Sequence, residues 1–161
     1  MTAGRPEAGP DPGATLASAL VAIAGAVPVE DVLALGWSTV ELDRAEAGFR
    51  VAFGDTLIGV TDAPGDGLLG ASCRIVRTGD ARVPVIVLLE PATEGRLAAS
   101  LARLGEGPVA AWLRLRAERA LPSRRSVATP GPFGPEVLVL GGPVVGPHRL
   151  LVRSEPGTIS S

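Results

Sequence analysis

The chain has 161 residues and a formal net charge of -2, a size that suits one domain or two fused half-domains around one core. Its 15 basic side chains are all Arg and are interleaved with 17 acidic ones, so the composition gives no electrostatic footprint for nucleic acid. Cys73 is the only cysteine, which excludes an internal disulfide and a cysteine-based metal cluster. We expect a buried, inert thiol and a cytoplasmic protein.

The first predicted element is a helix. The apolar run Ala14–Val27 follows the acidic residues Glu7 and Asp11, which is the wrong flank for a signal peptide, and it is too short to span a membrane. We therefore predict a docked helix over residues 14–28. Residues 1–13 are rich in Pro and Gly and are predicted to be disordered.

The first half of the remaining chain predicts strands around one short helix. The apolar and β-branched character of Val32–Leu42 indicates a strand, and Asp43–Phe49 is predicted as a short helix capped by Asp43. Asp55–Gly67 is predicted as a short extended piece followed by a Pro- and Gly-rich loop. Two further strands, over residues 69–78 and 82–91, flank the hairpin sequence GDAR.

The second half begins after an amphipathic helix. Leu97, Leu101 and Leu104 form one apolar stripe at helical spacing, and Gly105 is the predicted stop. The elements predicted after it are a strand over 107–115, a short helix over 116–121, a loop over 122–134 that holds a short edge strand, and a closing hairpin over 135–142 and 147–156.

The predicted elements therefore form a β-α-β-β-β unit that occurs twice along the chain. The strands VIVLLEP (Val85–Pro91) and LLVRSEP (Leu150–Pro156) both end on Glu-Pro, which supports an internal duplication. The prediction is an α+β fold with paired β-α-β-β-β modules and an extra N-terminal helix. The predicted domain covers residues 29–156, divided into module one (29–91), a connecting helix (92–105) and module two (106–156), before a disordered tail (157–161).

One stretch carries a resemblance to a known family. LLEP at Leu88–Pro91, the helix that follows it, and GEGP at Gly105–Pro108 resemble the vicinal oxygen chelate superfamily, which has the glyoxalase-like fold, and within it the methylmalonyl-CoA epimerases most. From the residues alone, Glu90 is expected to be a solvated strand end, and Glu94 to sit favourably near a helix N-terminus.

The resemblance implies a divalent metal held by four inward-facing side chains, two from each module. Those positions fall on Ala34 (or on Leu35 if the register slips by one), Val87, Ala110 and Val152. Hydrocarbon side chains cannot coordinate a metal, which needs oxygen, nitrogen or sulfur donors. We therefore predict no metal site and no cofactor, and we assign no catalytic residue.

Other residues could take part in binding, and each has a structural alternative. Trp112 and Arg114 alternate with Ala110 and would face the concave side of the sheet. There they could clamp an anionic or planar ligand, or Trp112 could fill the interior with Arg114 at its rim. Ser38 could hydrogen-bond a ligand or be structural, and His148 is either a strand-start residue at a turn or an inward-facing polar group.

Three functions remain open from the sequence. The first is a metal-free protein that binds a small anionic or apolar molecule in the concave cavity, lined by Ser38, Val87, Ala110, Trp112, Arg114, His148 and Val152. The second is an epimerase, isomerase or lyase acting on an acyl thioester or related carbonyl compound. The third is a non-catalytic, partner-binding or structural module. A homodimer is expected, with no nucleic-acid or membrane partner.

Overall fold

The fold is one curled eight-stranded sheet with helices at its faces. In this computed structural model, residues 12–24, 32–114, 127–139 and 148–152 are described. A single 3₁₀ turn, Gly54–Thr56, precedes the second strand. The helices and strands are α1 (Pro12–Ala24), β1 (Val32–Ser38), α2 (Leu42–Phe53), β2 (Leu57–Asp66), β3 (Ala71–Thr78), β4 (Val85–Pro91), α3 (Arg96–Leu104), β5 (Gly107–Arg114), β6 (Thr129–Gly131), β7 (Gly134–Leu138) and β8 (His148–Val152).

The strand order shows the predicted duplication. It runs β2-β3-β4-β1-β5-β8-β7-β6, so each module contributes one half of the sheet. In each half the module's first strand pairs in parallel with its last strand, β1 with β4 and β5 with β8, whereas β1 and β5 pair antiparallel at the centre. The α+β fold of paired modules is thereby confirmed.

The two faces of the sheet bury different side chains, because alternate residues of a strand point to opposite faces. The concave face holds what we call the inner cluster, which runs from β3 across the centre to β7. It contains Ala34, Cys73, Val87, Leu89, Ala110, Trp112, Leu138, Leu150 and Val152, and Leu97 of α3 packs against it.

The convex face is covered by α1 and α2. Leu16 of α1 and Phe49 of α2 are buried there against Leu35, Trp37 and other outer-facing residues. The rings of Trp37 and Phe49 meet edge to face, with centroids 5.3 Å apart, a favourable arrangement for aromatic pairs. Because α1 and α2 cover the convex face, the concave face is covered by α3 and by side chains of the strands.

Several predicted boundaries were wrong. The first helix begins at Pro12 rather than at residue 14, its predicted end at 28 lies outside the described residues, and β1 ends at Ser38 rather than at Leu42. The second helix is longer than predicted and begins after Glu41, with no capping by Asp43. The largest error is β2, a ten-residue strand where a short extended piece and a loop were predicted, because Pro64 and Gly65 are tolerated on an edge strand.

Three predictions lie outside the described residues. They are the disordered ends up to residue 11 and from residue 157, the short helix over 116–121, and the first five residues of the loop after it, 122–126. The predicted edge strand in that loop is described, as β6. Within the described ranges, no helix combines the length and apolar character needed to cross a membrane.

Candidate inner-face site

The four positions that correspond to metal ligands in the resembling family lie together on the concave face. Ala34, Val87, Ala110 and Val152 all belong to the inner cluster and are at most 7% exposed. Leu35, the alternative to Ala34, packs on the opposite face. The four positions that the resemblance selects therefore share the concave face, and all of them are hydrocarbon.

The strand ladders refine one of these positions. If Ala34 and Ala110 are equivalent in the two modules, the pairs Ala34–Val85 and Ala110–His148 make Leu150, rather than Val152, the counterpart of Val87. Leu150 is also fully buried in the inner cluster, so the chemical character of the fourth position is unchanged. In the described part of the chain, no group of three or more His, Cys, Asp or Glu residues is arranged to hold a metal ion.

Trp112 occupies the centre of the concave face. Its side chain is fully buried, and its ring meets that of Phe133 edge-on with centroids 5.8 Å apart. Its indole N–H donates to Oε2 of Glu136 at 2.8 Å. The indole thus fills space beside the aliphatic positions, and its one polar atom is satisfied by a buried carboxyl group.

That carboxyl group belongs to a buried acid pair, Asp66 at the end of β2 and Glu136 on β7. Both are nearly inaccessible, at 2% and 0% exposure. Oδ1 of Asp66 accepts the backbone N–H groups of Leu68 at 2.9 Å and Leu69 at 2.8 Å. The outer oxygens, Oδ2 of Asp66 and Oε1 of Glu136, have no donor from the described residues.

A proton shared between the carboxyl groups of Asp66 and Glu136 accounts for these two oxygens. Burial, together with the hydrogen bond to Asp66 and its charge, raises the pKa of Glu136 to about 9. Glu136 is therefore neutral near pH 7 and can donate its proton to Asp66, whose Oδ1 already accepts two backbone N–H groups. One proton between the two side chains satisfies both outer oxygens, which would otherwise repel each other.

Gly131 makes room for this pair. A Cβ atom added at residue 131 would overlap the carboxylate atoms of Glu136, so any larger residue would displace the acid. The β6–β7 hairpin is therefore shaped around the Glu136 side chain.

The predicted polar candidates have mainly structural partners. The Ser38 hydroxyl is buried and donates to the carbonyl of Gly107 at 3.1 Å. His148 is half-buried, and its Nε2 lies 3.1 Å from Oγ of Ser100. Burial and the charge of Arg96 lower the pKa of His148, although Asp66 acts in the opposite direction. Its imidazole is therefore neutral near pH 7.

Two other candidates differ in exposure. Arg114 ends β5 opposite Val152 and is exposed, so it lies at the rim of the concave face. Cys73 is buried, and burial together with the nearby charge of Asp66 raises the pKa of its thiol to about 12. The expectation of an inert thiol agrees with this environment, since the thiolate is the reactive form.

The glutamates of LLEP and GEGP support the loop between β1 and α2. Oε2 of Glu90 accepts the N–H of Leu42 at 2.8 Å, so Glu90 satisfies a free donor at the start of α2 and is not simply a solvated strand end. Oε1 of Glu106 accepts the hydroxyl of Thr39 at 2.6 Å and the N–H of Val40 at 2.8 Å. These motif residues therefore stabilise the fold.

Sequence reasoning missed Asp66 and Glu136. Asp66 was assigned to a loop because of its Gly and Pro neighbours, although it ends a strand. Glu136 carried a usable signal, since it alternates with the inward-facing Leu138 in an otherwise apolar strand. A charged residue in step with a buried face needs a partner.

The convex side carries a separate cavity of about 270 Å³. It lies between α1 and the β3–β4 hairpin and is lined by residues such as Leu16, Leu20, Phe53 and Val83, with Asp80 and Arg82 bordering it. None of the predicted site residues lines it.

Comparison with known proteins gives a fold and no sequence family. No protein-family model and no curated protein matches the chain. Among solved structures, the chain is similar to methylmalonyl-CoA epimerase from Mycobacterium tuberculosis, with 17% identity and a TM-score of 0.59 over 78% of this chain and 89% of the other. A hypothetical protein from Bacillus halodurans has 16% identity and a TM-score of 0.54 over 78% and 96%.

The chain therefore has a vicinal-oxygen-chelate-like fold, as the resemblance implied. Within that fold the similar structures include a second epimerase, a variant from Streptomyces coelicolor in complex with 2-nitronate-propionyl-CoA. It has 17% identity and a TM-score of 0.54 over 75% of this chain and 94% of the other. At 17% identity, this similarity is evidence for a shared fold alone.

Proposed function

We propose that this chain is a metal-independent protein of the vicinal-oxygen-chelate-like fold that binds a small molecule against the concave face of its sheet. The observation that carries the proposal is the chemistry of the ligand positions. Ala34, Val87, Ala110 and Val152 share one buried apolar cluster with Trp112, and none of them has a donor atom for a metal.

The surroundings favour an apolar, uncharged ligand over an anion. The inner face is aliphatic and aromatic, and its polar part is the acid pair of Asp66 and Glu136. An anion placed on this face would lose its hydration against a mainly hydrocarbon surface. Arg114, which suggested an anionic ligand, is exposed at the rim and could contact only a part of a ligand that extends outward.

An acyl thioester is the extended ligand to test. Structures similar to this chain include epimerase complexes with 2-nitronate-propionyl-CoA and with methylmalonyl-CoA and NH₄⁺. The short acyl group of such a ligand would contact the inner cluster. Its charged CoA part would extend outward toward Arg114. The proposal also includes a homodimer in the cytoplasm, and light scattering on the purified protein tests the dimer.

The two tryptophans allow a direct test of ligand binding. The chain has Trp37, Trp112 and no Tyr, and the two rings lie on opposite faces of the sheet. Trp37→Phe therefore leaves only the inner-face fluorophore, and Trp112→Phe leaves only the outer one. A panel of small apolar molecules and acyl-CoA esters is titrated into both variants.

A ligand of the concave face should change the emission of Trp112 in the first variant and not that of Trp37 in the second. A response of Trp37 alone would place binding on the convex side and contradict the proposal. No saturable response of Trp112 across the panel would favour the partner-binding or structural alternative, which the dense packing of Trp112 also supports.

The enzyme alternative is favoured by one observation, the acid pair itself. Glu136, whose raised pKa keeps it protonated near pH 7, lies beside a second buried carboxyl group, Asp66. Such a pair could serve acid–base chemistry, here proton removal from a carbon next to a thioester carbonyl. Incubation of methylmalonyl-CoA in D₂O without added metal tests it. Deuterium uptake that Glu136→Gln abolishes would support an enzyme, and no uptake above the uncatalysed rate would remove it.

A further inference from the structure

The two ends of the curled sheet meet at one small contact, which we call the seam. On one side it consists of Asp66 and Gly67, where β2 turns toward β3. On the other it consists of Thr129, Pro130 and Glu136 of the β6–β7 hairpin. Since β2 and β6 are the outermost strands of the sheet, the seam closes the concave face at its open edge.

Few bonds hold the seam. The Gly67 N–H donates to the carbonyl of Pro130 at 3.4 Å, which is long for such a bond. The backbone of Gly67 lies against the side-chain methyl of Thr129, because an added Cβ would come within 2.6 Å of it. The third link is the acid pair. By contrast, the neighbouring strands β3 and β4 pair over six residues.

On the hairpin side of the seam, the outermost strand β6 is lightly attached, because it pairs with β7 over three residues. So short a ladder leaves little to resist an outward swing of β6, because each pair contributes only modestly to stability. The neighbouring strand β7 is anchored by its buried residues Glu136, Val137 and Leu138. The seam can therefore open without loss of the central strands.

The groups that face the acid pair determine how it responds to charge. The β3 thiol of Cys73 stays neutral, and the β5 indole of Trp112 donates to Glu136. Asp66 affects the electrostatics of His148 on β8, which also senses Arg96 of α3. Among the described residues, no cation makes a salt bridge to either acid.

Only a proton therefore links the two carboxyl groups. Its removal leaves two buried negative charges side by side, a strongly unfavourable state. Separation of the hairpin from the β2 end relieves the repulsion and exposes the inner cluster.

We propose that the seam is the access route to the concave face and that the Asp66–Glu136 pair keeps it closed. This inference rests on the proposed function for its ligand, but the opening itself does not depend on a ligand. A small solute should reach Trp112 through the same route.

Acrylamide quenching of Trp112 tests the opening without a ligand. The background is Trp37→Phe with Cys73→Ala, which leaves one fluorophore and no native thiol. Quenching is measured across pH 6–10 with circular dichroism as a check that the fold persists. We expect the quenching constant to rise with pH as the pair ionises, and we expect Glu136→Gln, which keeps the shape and cannot ionise, to lose that rise.

A reversible cross-link then tests the route. Gly67→Cys and Thr129→Cys, added to this background, place two thiols at the direct contact described above. Oxidation should remove the pH-dependent part of the quenching, and reduction should restore it. Equal quenching in the oxidised and reduced forms, or a pH rise that survives in Glu136→Gln, would overturn the proposal.

A ligand from the fluorescence panel separates this inference from the proposed function. If the ligand binds, oxidation should slow its association, and unchanged association would contradict the route. If quenching follows the cross-link but no ligand binds, the seam opens as proposed and the proposed function fails. In a variant with Gly67→Cys alone, the same oxidant should have no effect.

Discussion

The indole N–H of Trp112, near the centre of the sheet on β5, donates to Oε2 of Glu136 on β7 at 2.8 Å. The side chain that fills the concave face is thereby tied to the acid that meets Asp66 across the seam. Polar chemistry on this face lies at the seam, whereas the positions that hold a metal in the resembling family are aliphatic. The predictions below follow from this arrangement.

Trp112→Phe should lower the free energy of unfolding by about 1–3 kcal/mol from the hydrogen bond alone, since a buried carboxyl oxygen loses its donor. Urea unfolding followed by circular dichroism measures it. Wild-type stability of Trp112→Phe would show that the bond contributes nothing.

Stability should fall as the pH rises from about 6.5 to 9. The Glu136 carboxyl ionises near pH 4.5 in the unfolded chain and near pH 9 in the folded one. Between these values the folded state binds the extra proton, so this group lowers the unfolding free energy as the pH rises. His148, whose pKa is lowered on folding, acts oppositely and removes stability as the pH falls below about 6.5.

Urea midpoints at several pH values test this sign. Glu136→Gln should remove the fall in stability between pH 6.5 and 9. His148→Ala should leave that fall unchanged and extend it below pH 6.5, where the two groups otherwise oppose each other. A wild-type midpoint that rises between pH 6.5 and 9 would contradict a proton-sharing pair.

Glu90→Ala should destabilise the protein by about 1 kcal/mol, the usual cost of a lost helix-start acceptor. Its Oε2 accepts the N–H of Leu42 at 2.8 Å, where α2 begins without a capping side chain of its own. Glu94→Ala is the matched control, because Glu94 is exposed four residues away. Thermal melts of the two variants measure the difference, and equal melting temperatures would remove the capping role of Glu90.

Much of the fold could be predicted from local pattern. The resemblance pointed to Ala34, Val87 and Ala110 as inward-facing, and strict strand periodicity puts all three in one cluster on the concave face. The repeated strand ends indicated two modules. The ten-residue β2 was missed because its Gly and Pro residues weaken the local strand pattern. In the structure this strand is held by its pairing with β3.

The site was harder to predict because its acid pair is a long-range contact. Asp66 and Glu136 come from different modules and meet only when the sheet curls. No spacing along the chain encodes that meeting. Ser38 was expected to face inward and to bind a ligand or be structural. Its hydrogen-bond partner, the Gly107 carbonyl, comes from tertiary structure and has no signal in the local sequence.

The purified protein should carry no stoichiometric metal after dialysis against zinc, cobalt, nickel or manganese. The physical reason is the lack of donor atoms at Ala34, Val87, Ala110 and Val152. Elemental analysis measures it, with His148→Ala as a control for binding to the one imidazole. Stoichiometric metal that persists in that variant would mean that other residues form a site, and would favour the enzyme alternative.

Two glycine substitutions should have opposite effects on stability. Gly131→Ala would push a methyl group into the Glu136 carboxylate, and such overpacking typically costs about 1–3 kcal/mol. Gly48→Ala adds a methyl group on α2 with no atom within 4 Å, which should stabilise the protein by about 0.4–1 kcal/mol through the unfolded chain. Urea unfolding of both variants compares the same chemical change at two sites. If Gly131→Ala leaves the free energy of unfolding unchanged, the hairpin can move aside without displacing the Glu136 side chain. That result would weaken the proposed role of the acid pair in closing the seam.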